Sequence, residues 1–284
     1  MIQISIVILT YNSANYIKLC LDSVYMQGYQ DFEVIVVDNG SKDETVSLIK
    51  EIYPQVIMIE NKDNLGASKG RNQGIEISRG KWVLTLDCDI ILNNNFLAQA
   101  GKFIENMPQK VGAIQSKILK SDSGRIYSNG IHLSFLRRFL DINQGKTDND
   151  RFNSVRDVFG ACSAAALYNR SMLEEIKEQT GYFDERFFFL VEDVDLSWRA
   201  RKRGWRIIFE PKLICSHYGN SSAHNKKIRQ YFSFRNRFYT IQKNEGVLKY
   251  ALRVIPLLCY DLPRTVYLLL TNPYMFSRIQ AYEN

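Results

Sequence analysis

Several things are scarce in this chain, and each scarcity removes a class of protein. Its five cysteines (Cys20, Cys88, Cys162, Cys215 and Cys259) are an odd number with no Cys-x-x-Cys pair, which argues against a disulfide framework or a structural zinc site and suits a reduced, cytoplasmic setting. No apolar stretch reaches the roughly 18 to 20 uninterrupted residues needed to span a bilayer. The N-terminus runs directly into a strand-like segment, with no basic stretch, apolar core and cleavage site ahead of it, so no signal peptide is expected. A glycine-rich basic loop after the first strand, which a nucleotidyltransferase needs, is also missing: that position reads Thr10-Tyr11-Asn12-Ser13. Only three histidines occur, His132, His217 and His224.

What is present is ordinary in bulk and uneven in detail. At 284 residues, 45% hydrophobic and 24% charged, the chain can bury a large core as one domain or two intimate ones. The net charge of +7 hides an asymmetry. From Arg199 onward there are 16 Lys+Arg against 4 Asp+Glu, whereas the rest carries 21 against 26. The basic end coincides with 247–270, where apolar stretches alternate with Arg253, Asp261, Arg264 and two prolines. Two readings stand: an interfacial helix pair on an anionic membrane surface, or a helical appendage packed on its own domain. No recognised nucleic-acid module accompanies the basic residues, so no nucleic acid partner is expected.

Three short β-branched runs, at residues 4–9, 34–37 and 83–86, each stop at a polar tip instead of alternating in and out of water, as strands of a buried parallel sheet do. Helix-length patterns lie between them, at 14–26 after Asn12 and Ser13 and at 43–52 after Ser41, with Glu44 completing a capping box. Strand, helix, strand, helix implies right-handed crossovers and an open α/β layer, with ligands beyond the carboxyl ends of the strands. Thr10, Tyr11, Asp38, Asp87 and Asp89 all fall there.

The Asp-x-Asp spacing occurs three times, at Asp87/Asp89, Asp148/Asp150 and Asp193/Asp195. Only the first follows a strand-like run into the ligand edge, where the period of two aims both carboxylates the same way. Hard oxygen ligands there suit Mg2+ or Mn2+ bridging a diphosphate. Asp148/Asp150 lies in a polar stretch and reads as solvated loop. Asp38, in Val-Val-Asp-Asn-Gly-Ser, is either a turn former or, beside Thr10 and Tyr11, an acceptor for the ring N–H of uracil or thymine. Residues 64–74 supply three glycines, Lys69 and Arg71 in a loop entering a helix, a sensible partner for phosphate oxygens. Further on, Glu192, Asp193 and Asp195 follow Phe187, Phe188 and Phe189 and precede Trp198 and a basic helix. Acidic residues suit a helix N-terminus through the dipole alone, which accounts for Asp195; a carboxylate shielded by aromatics also suits a general base. Residues 121–153, rich in Ser, Asn, Asp and Arg, read as a mobile loop on the acceptor side.

Taken in order, VILTYN, VVDNGSKD, NLGASKGRNQGI, LDCDI, FGACSAAALYNRS, FDERFFFLVEDVDLSWRARKRGW and HYGNSS resemble the family 2 glycosyltransferases of GT-A fold, with the rhamnosyltransferase-like branch most similar, over about residues 4–237. The resemblance implies a GT-A domain over 1–240, divided into a nucleotide-sugar half (1–110) and an acceptor and catalytic half (111–240), followed by a helical segment over 241–284. It implies that Thr10, Tyr11, Asn12, Asp38, Asn64, Gly66, Lys69 and Arg71 hold the nucleotide of a UDP- or dTDP-sugar, with Asp87 near ribose and metal. Asp89 and His217, with Asp87, would hold Mn2+ or Mg2+, and Asp193, with Glu192 beside it, would be the base of an inverting transfer to a glycan or lipid-linked saccharide. That places the protein in the cytoplasm, on the cytoplasmic face of a membrane if the basic end binds one. A polyprenyl-phosphate sugar synthase and a non-catalytic glycan-binding protein are the alternatives.

Overall fold

The computed structural model describes residues 2–219, 226–251 and 254–272. The end of the HYGNSS motif, His224 and the last part of the expected helical segment lie outside the described residues.

In the first part strands and helices alternate: β1 (Ile4–Thr10), α1 (Ala14–Tyr25), β2 (Phe32–Asp38), α2 (Thr45–Ile52), β3 (Ile57–Glu60), α3 (Ala67–Ile77) and β4 (Trp82–Asp87). The short β5 (Ile90–Leu92) and α4 (Phe96–Glu105) follow. Next come β6 (Val111–Lys120), β7 (Ile126–Ser128), β8 (Ile131–Leu133), β9 (Phe139–Asp141), β10 (Arg156–Asp157), β11 (Ala165–Asn169) and α5 (Arg170–Ile176). The chain continues through α6 (Glu192–Lys202), β12 (Arg206–His217), α7 (Lys226–Asn244) and α8 (Val247–Ala251). A helical run of α9 (Val254–Pro256), a π-turn over Leu257–Asp261 and α10 (Leu262–Thr271) ends the described chain.

One sheet unites both parts in the order β10-β12-β6-β11-β4-β1-β2-β3, with β5 on β12 and β7 on β6; β8 and β9 form a separate pair. β4, β1, β2 and β3 are mutually parallel, as are β6 and β12, while β11 runs antiparallel between β4 and β6. The register sets Thr10 opposite Asp38 and Leu9 opposite Asp87, so three polar tips end on one edge. The period of two then divides the core. Ile4, Ile6 and Ile8 of β1 face Ile17, Leu21 and Val24 of α1, and Val7 faces the side holding Ile75 of α3, Leu173 of α5 and Leu196 of α6.

Helix α3 sits unusually close to β1. A Cβ on Gly70 or Gly74 would lie 2.3 Å from Leu9 or 2.4 Å from Val7, so these two glycines exist for packing and not for a phosphate. Only Gly66 of the three turns toward the site; its φ of +86° and its contact with Phe188 leave no room for a side chain.

Several local expectations need correction. The Ser41/Glu44 capping box does not form: the Ser41 hydroxyl donates to Asp38 and accepts from Asn12 N–H, and Glu44 makes no side-chain cap. Asp43 instead accepts from Ala14 N–H, capping α1 across the loop. Asp148 is not a solvated loop residue; it takes both contacts of a bidentate ion pair with the buried Lys117 of β6, at 2.8 and 2.9 Å. Residues 121–153 are correspondingly built, carrying β7, β8 and β9 instead of a plain loop. At the C-terminal end, Val254–Thr271 is one helical stretch long and apolar enough to cross a membrane by length and composition, although Asp261 and Arg264 interrupt its sequence.

Candidate active site

A cleft of about 740 Å³ opens at the carboxyl edge of β1 and β4. Thr10 and Tyr11 reach it from the end of β1, Asn64, Gly66 and Arg71 from the entry to α3, and Asp87, Cys88 and Asp89 from the end of β4. Its far wall comes from Tyr127, Ile131 and Phe139 to Asp141, and its floor from Ser163, Phe188 to Asp193 and His217. Arg229 and Ser233 of α7 close one side. Ten of the candidate residues named from sequence therefore meet in one place: Thr10, Tyr11, Asn64, Gly66, Arg71, Asp87, Asp89, Glu192, Asp193 and His217.

Three others do not line it. Asp38 is 1% exposed, and its carboxylate accepts from Gly40 N–H, Ser41 N–H and the Ser41 hydroxyl, closing the turn after β2. Asn12 bridges to the same turn through Lys42 N–H. Lys69 points outward, 3.7 Å from Glu185. Asp195, the third carboxylate of its cluster, faces away from the cleft and is held by Arg199, Lys243 and Asn244. Trp198 also lies apart, packed edge-on to Phe139 and Phe159.

Arg71 is the centre of the arrangement. Its guanidinium donates to Asp87 at 2.7 Å and to Glu192 at 2.7 Å, and its side chain is 5% exposed. Burial works against its charge, and the Asp87 and Glu192 carboxylates outweigh that, so it stays protonated. Its Nε, and the second oxygen of Glu192, are buried without a hydrogen-bond partner among the described residues. Asp193 accepts from its own helix at Val194 N–H, 2.8 Å, and from Ser163 N–H, 3.2 Å. Burial pushes both Glu192 and Asp193 above the usual carboxyl range, with Arg71 pulling each of them back. Carboxyls tuned in this direction are the kind that take a proton near neutral pH.

Asp87, Asp89 and His217 form a second group, their ligand atoms within 4.8 Å of one another. His217 Nε2 lies 3.1 Å from Asp89, and the other ring nitrogen is buried without a hydrogen-bond partner among the described residues. Two carboxylates and an imidazole fit a divalent ion such as Mn2+, and the carboxylates alone fit Mg2+. The strand geometry makes this set: Asp89 follows β4 by two residues, and His217 ends β12, where it pairs with Ile90 of β5. Tyr127 holds the imidazole edge-on at 4.4 Å.

The backbone leading to Glu192 is strained. Phe188, Leu190 and Val191 all have positive φ, of 60°, 67° and 74°, a region costly for a β-branched residue. It is held from outside by α7. Asn236 Nδ2 lies 3.0, 2.9 and 2.7 Å from the carbonyl oxygens of Phe187, Phe189 and Leu190, and Arg235 donates to those of Arg186 and Phe187. Phe188 in turn accepts from Ala67 and Ser68 N–H at the start of α3. Lys243 adds ion pairs to Glu178, Asp184 and Asp195 at 2.6, 2.8 and 2.9 Å. Sequence reasoning missed Asn236 and Lys243, and it reached Tyr127 and Asp141 only as unnamed members of the 121–153 stretch on the acceptor side.

The sequence model for glycosyl transferase family 2 matches residues 5–177, more than half of the chain. The chain belongs to glycosyl transferase family 2. Among curated relatives, poly-beta-1,6-N-acetyl-D-glucosamine synthase of Staphylococcus aureus is 26% identical over 216 residues, 75% of this chain and 49% of its own length. The chain thus spans about half of that relative. Among solved structures, the mannosyltransferase PcManGT of Pyrobaculum calidifontis, in complex with GDP-Man and Mn2+, superposes with a TM-score of 0.60 at 20% identity, over 98% of this chain and 73% of that one. Staphylococcus aureus TarS 1-349 in complex with UDP gives 0.55 at 20% identity, over 87% and 68%. These likenesses establish the GT-A fold of this family 2 glycosyltransferase, a mostly parallel sheet flanked by helices with a C-terminal helical part.

Proposed function

We propose that this family 2 glycosyltransferase moves a sugar, with inversion, from a pyrimidine nucleoside diphosphate sugar to a saccharide hydroxyl. The observation that carries the proposal is Arg71, which joins the Asp87 strand tip to Glu192 on the helix bearing Asp193, so that a cation group and a base group face one cleft. Thr10, Tyr11, Asn64 and Gly66 would hold the nucleotide, Asp87 the ribose side, and the buried Arg71 Nε–H a phosphate oxygen. Asp38 and Asn12 act behind this layer by fixing the turn beside Thr10, while Lys69 lies outside it beside Glu185. Asp87, Asp89 and His217 would hold Mn2+ or Mg2+, which when bound supplies charge neutralisation for the leaving diphosphate. Asp193 takes the proton of the acceptor hydroxyl as that oxygen attacks the anomeric carbon from the face opposite the diphosphate. Ser163 and Val194 N–H hold the carboxylate still.

UDP is the first donor nucleotide to test, since TarS binds it, with dTDP, as in a dTDP-rhamnose donor, second and GDP as the comparison set by PcManGT. Thermal shifts with each, with and without Mn2+, test the donor half; a ligand at 100 times its Kd adds about 2.7 kcal/mol. Asp193→Asn tests the chemistry. It should lower transfer by about 10²- to 10⁴-fold while the nucleotide shift stays. Retained transfer would favour a polyprenyl-phosphate acceptor, which needs no base, and no nucleotide shift at all would favour a non-catalytic glycan-binding protein.

The same proposal places the acceptor on a lipid carrier at the cytoplasmic face of a membrane. Supporting it, Leu248, Ile255, Leu258, Leu262 and Leu270 of α8 to α10 are all exposed, Leu270 at 80%, within the basic end of the chain. Helix α10 is moored to α7 by the buried pair Arg237–Asp261, 3.1 Å, and by Leu268 against Tyr231. Liposome flotation should depend on anionic lipid and be lost in Leu262→Glu with Leu270→Glu; flotation indifferent to lipid charge would remove the membrane reading.

A further inference from the structure

The cleft wall opposite α3 comes from residues to which no role attaches in the donor half. Asp141, at the end of β9, lines the cleft and pairs through its backbone with Ile131 of β8, which lines it too. Its carboxylate accepts from Gln144 at 3.2 Å and from the Ser128 hydroxyl. It lines the same cleft as Asp193 and His217 and so borders the space between the base group and the cation group, where the acceptor must lie. Around it the wall is apolar: Phe139 and Leu140 on the same strand and Ile131 beside them. Phe139 packs edge-on to Trp198 of α6, ring centres 6.5 Å apart, so the wall is braced against the helix that starts with Glu192 and Asp193. A second brace is the Lys117–Asp148 pair, with Asn153 also on Lys117 at 2.5 Å, which ties the chain after β9 to β6.

A carboxylate set among flat apolar side chains matches a pyranose, which offers hydroxyl donors at its edge and C–H groups on its face. We infer that β8 and β9 form the acceptor subsite, with Asp141 accepting a hydrogen bond from an acceptor hydroxyl neighbouring the attacked one while the sugar face rests on Phe139, Leu140 and Ile131. The inference rests on the transferase reading above and goes beyond it by assigning the acceptor wall and its specificity residue.

The test uses the full chain with UDP and Mn2+ present and four probes, the methyl glycosides of glucose, galactose, N-acetylglucosamine and rhamnose, at millimolar concentration. Saturation-transfer NMR should show contact with at least one glycoside in the wild type. In Asp141→Asn, which keeps the side-chain shape, binding of that glycoside should weaken by about tenfold, as loss of a charged hydrogen-bond acceptor does. Leu140→Ala, on a partly exposed side chain, should reduce transfer to the sugar's ring C–H protons and leave the nucleotide shift in place. Glycoside contact equal in wild type and Asp141→Asn, or no contact with any of the four, overturns the subsite. Failure of UDP and Mn2+ to raise the melting temperature of the wild type, with glycoside contact intact and Asp141-dependent, would instead overturn the donor reading and leave the acceptor wall standing.

Discussion

The two sides of the cleft are built by different means. On the proposed donor side, Thr10, Asp38 and Asp87 owe their positions to strand register: once β1, β2 and β4 pair in parallel, their ends coincide. On the proposed base side, Glu192 and Asp193 follow an irregular segment with three strained residues, and their position is imposed from α7 by Asn236, Arg235 and Lys243. A regular sheet aligns groups by backbone pairing alone. An irregular approach needs side chains from distant parts of the chain, and it puts its precision at the mercy of each of them.

Substitutions on the two sides should therefore fail in different ways. The largest effect is expected at Asp193→Asn, where transfer falls by about 10²- to 10⁴-fold with nucleotide binding kept; equal loss of both would mean that the two sides are not separable. Lys243→Met leaves Glu178, Asp184 and Asp195 without their shared cation, with Arg186 still on Asp184 and Arg199 still on Asp195, and should cost about 1 to 3 kcal/mol of stability, read by urea unfolding. Burial raises the Asp184 carboxyl while Arg186 and Lys243 hold it well below its usual range, so the stability it contributes is present at neutral pH and lost only as strong acid protonates it. Asn236→Ala is a subtler break. It frees three carbonyls near the start of α6 and should lower kcat by up to about 10²-fold through misplacement of Asp193, with nucleotide affinity unchanged; a fall in the melting temperature without a change in kcat would make Asn236 merely structural.

Titration sharpens the same contrast. Burial lifts Glu192 and Asp193, and a base must be unprotonated to act, so activity should fall on acidification at a pH above the ordinary carboxyl range. A pH–rate profile whose acid limb lies at an unperturbed Asp value would count against Asp193. For the smallest effect, Lys50→Ala removes an exposed pair with Glu60 on the outer strand and should change stability by less than about 1 kcal/mol.

What could be read from the sequence follows this division. The parallel strands and their polar tips, Asp87 and Asp89 among them, were legible because periodicity and strand ends place side chains without knowledge of distant partners, whereas His217 entered only through the resemblance of its motif to the family, and the fold sets it beside the two aspartates. Helix caps were not: Ser41 and Glu44 fit a capping box, yet Asp38 and Asn12 claimed Ser41 once the two loops met. Gly70 and Gly74 looked like a phosphate loop, and only the approach of α3 to β1 reveals them as packing residues. Asp148 resembled solvated loop until Lys117, 31 positions earlier, arrived beside it inside the protein. In each miss a decisive partner, Asn12 for Ser41, β1 for α3 and Lys117 for Asp148, lies far away in the chain, and no local pattern encodes it.

The ties from α7 also bear on how the molecule comes into being. Synthesis delivers the parallel strands early, and they can pair as they emerge, whereas Asn236, Lys243 and Asn244 arrive after every residue they restrain. The carboxylates of the base side thus remain unset until the chain has been made through Asn244, well past the 5–177 stretch by which the family is known. A fragment trimmed to that stretch would keep its donor-side strands and lack α6 altogether; one trimmed after β12 would keep Asp193 and lose what aims it.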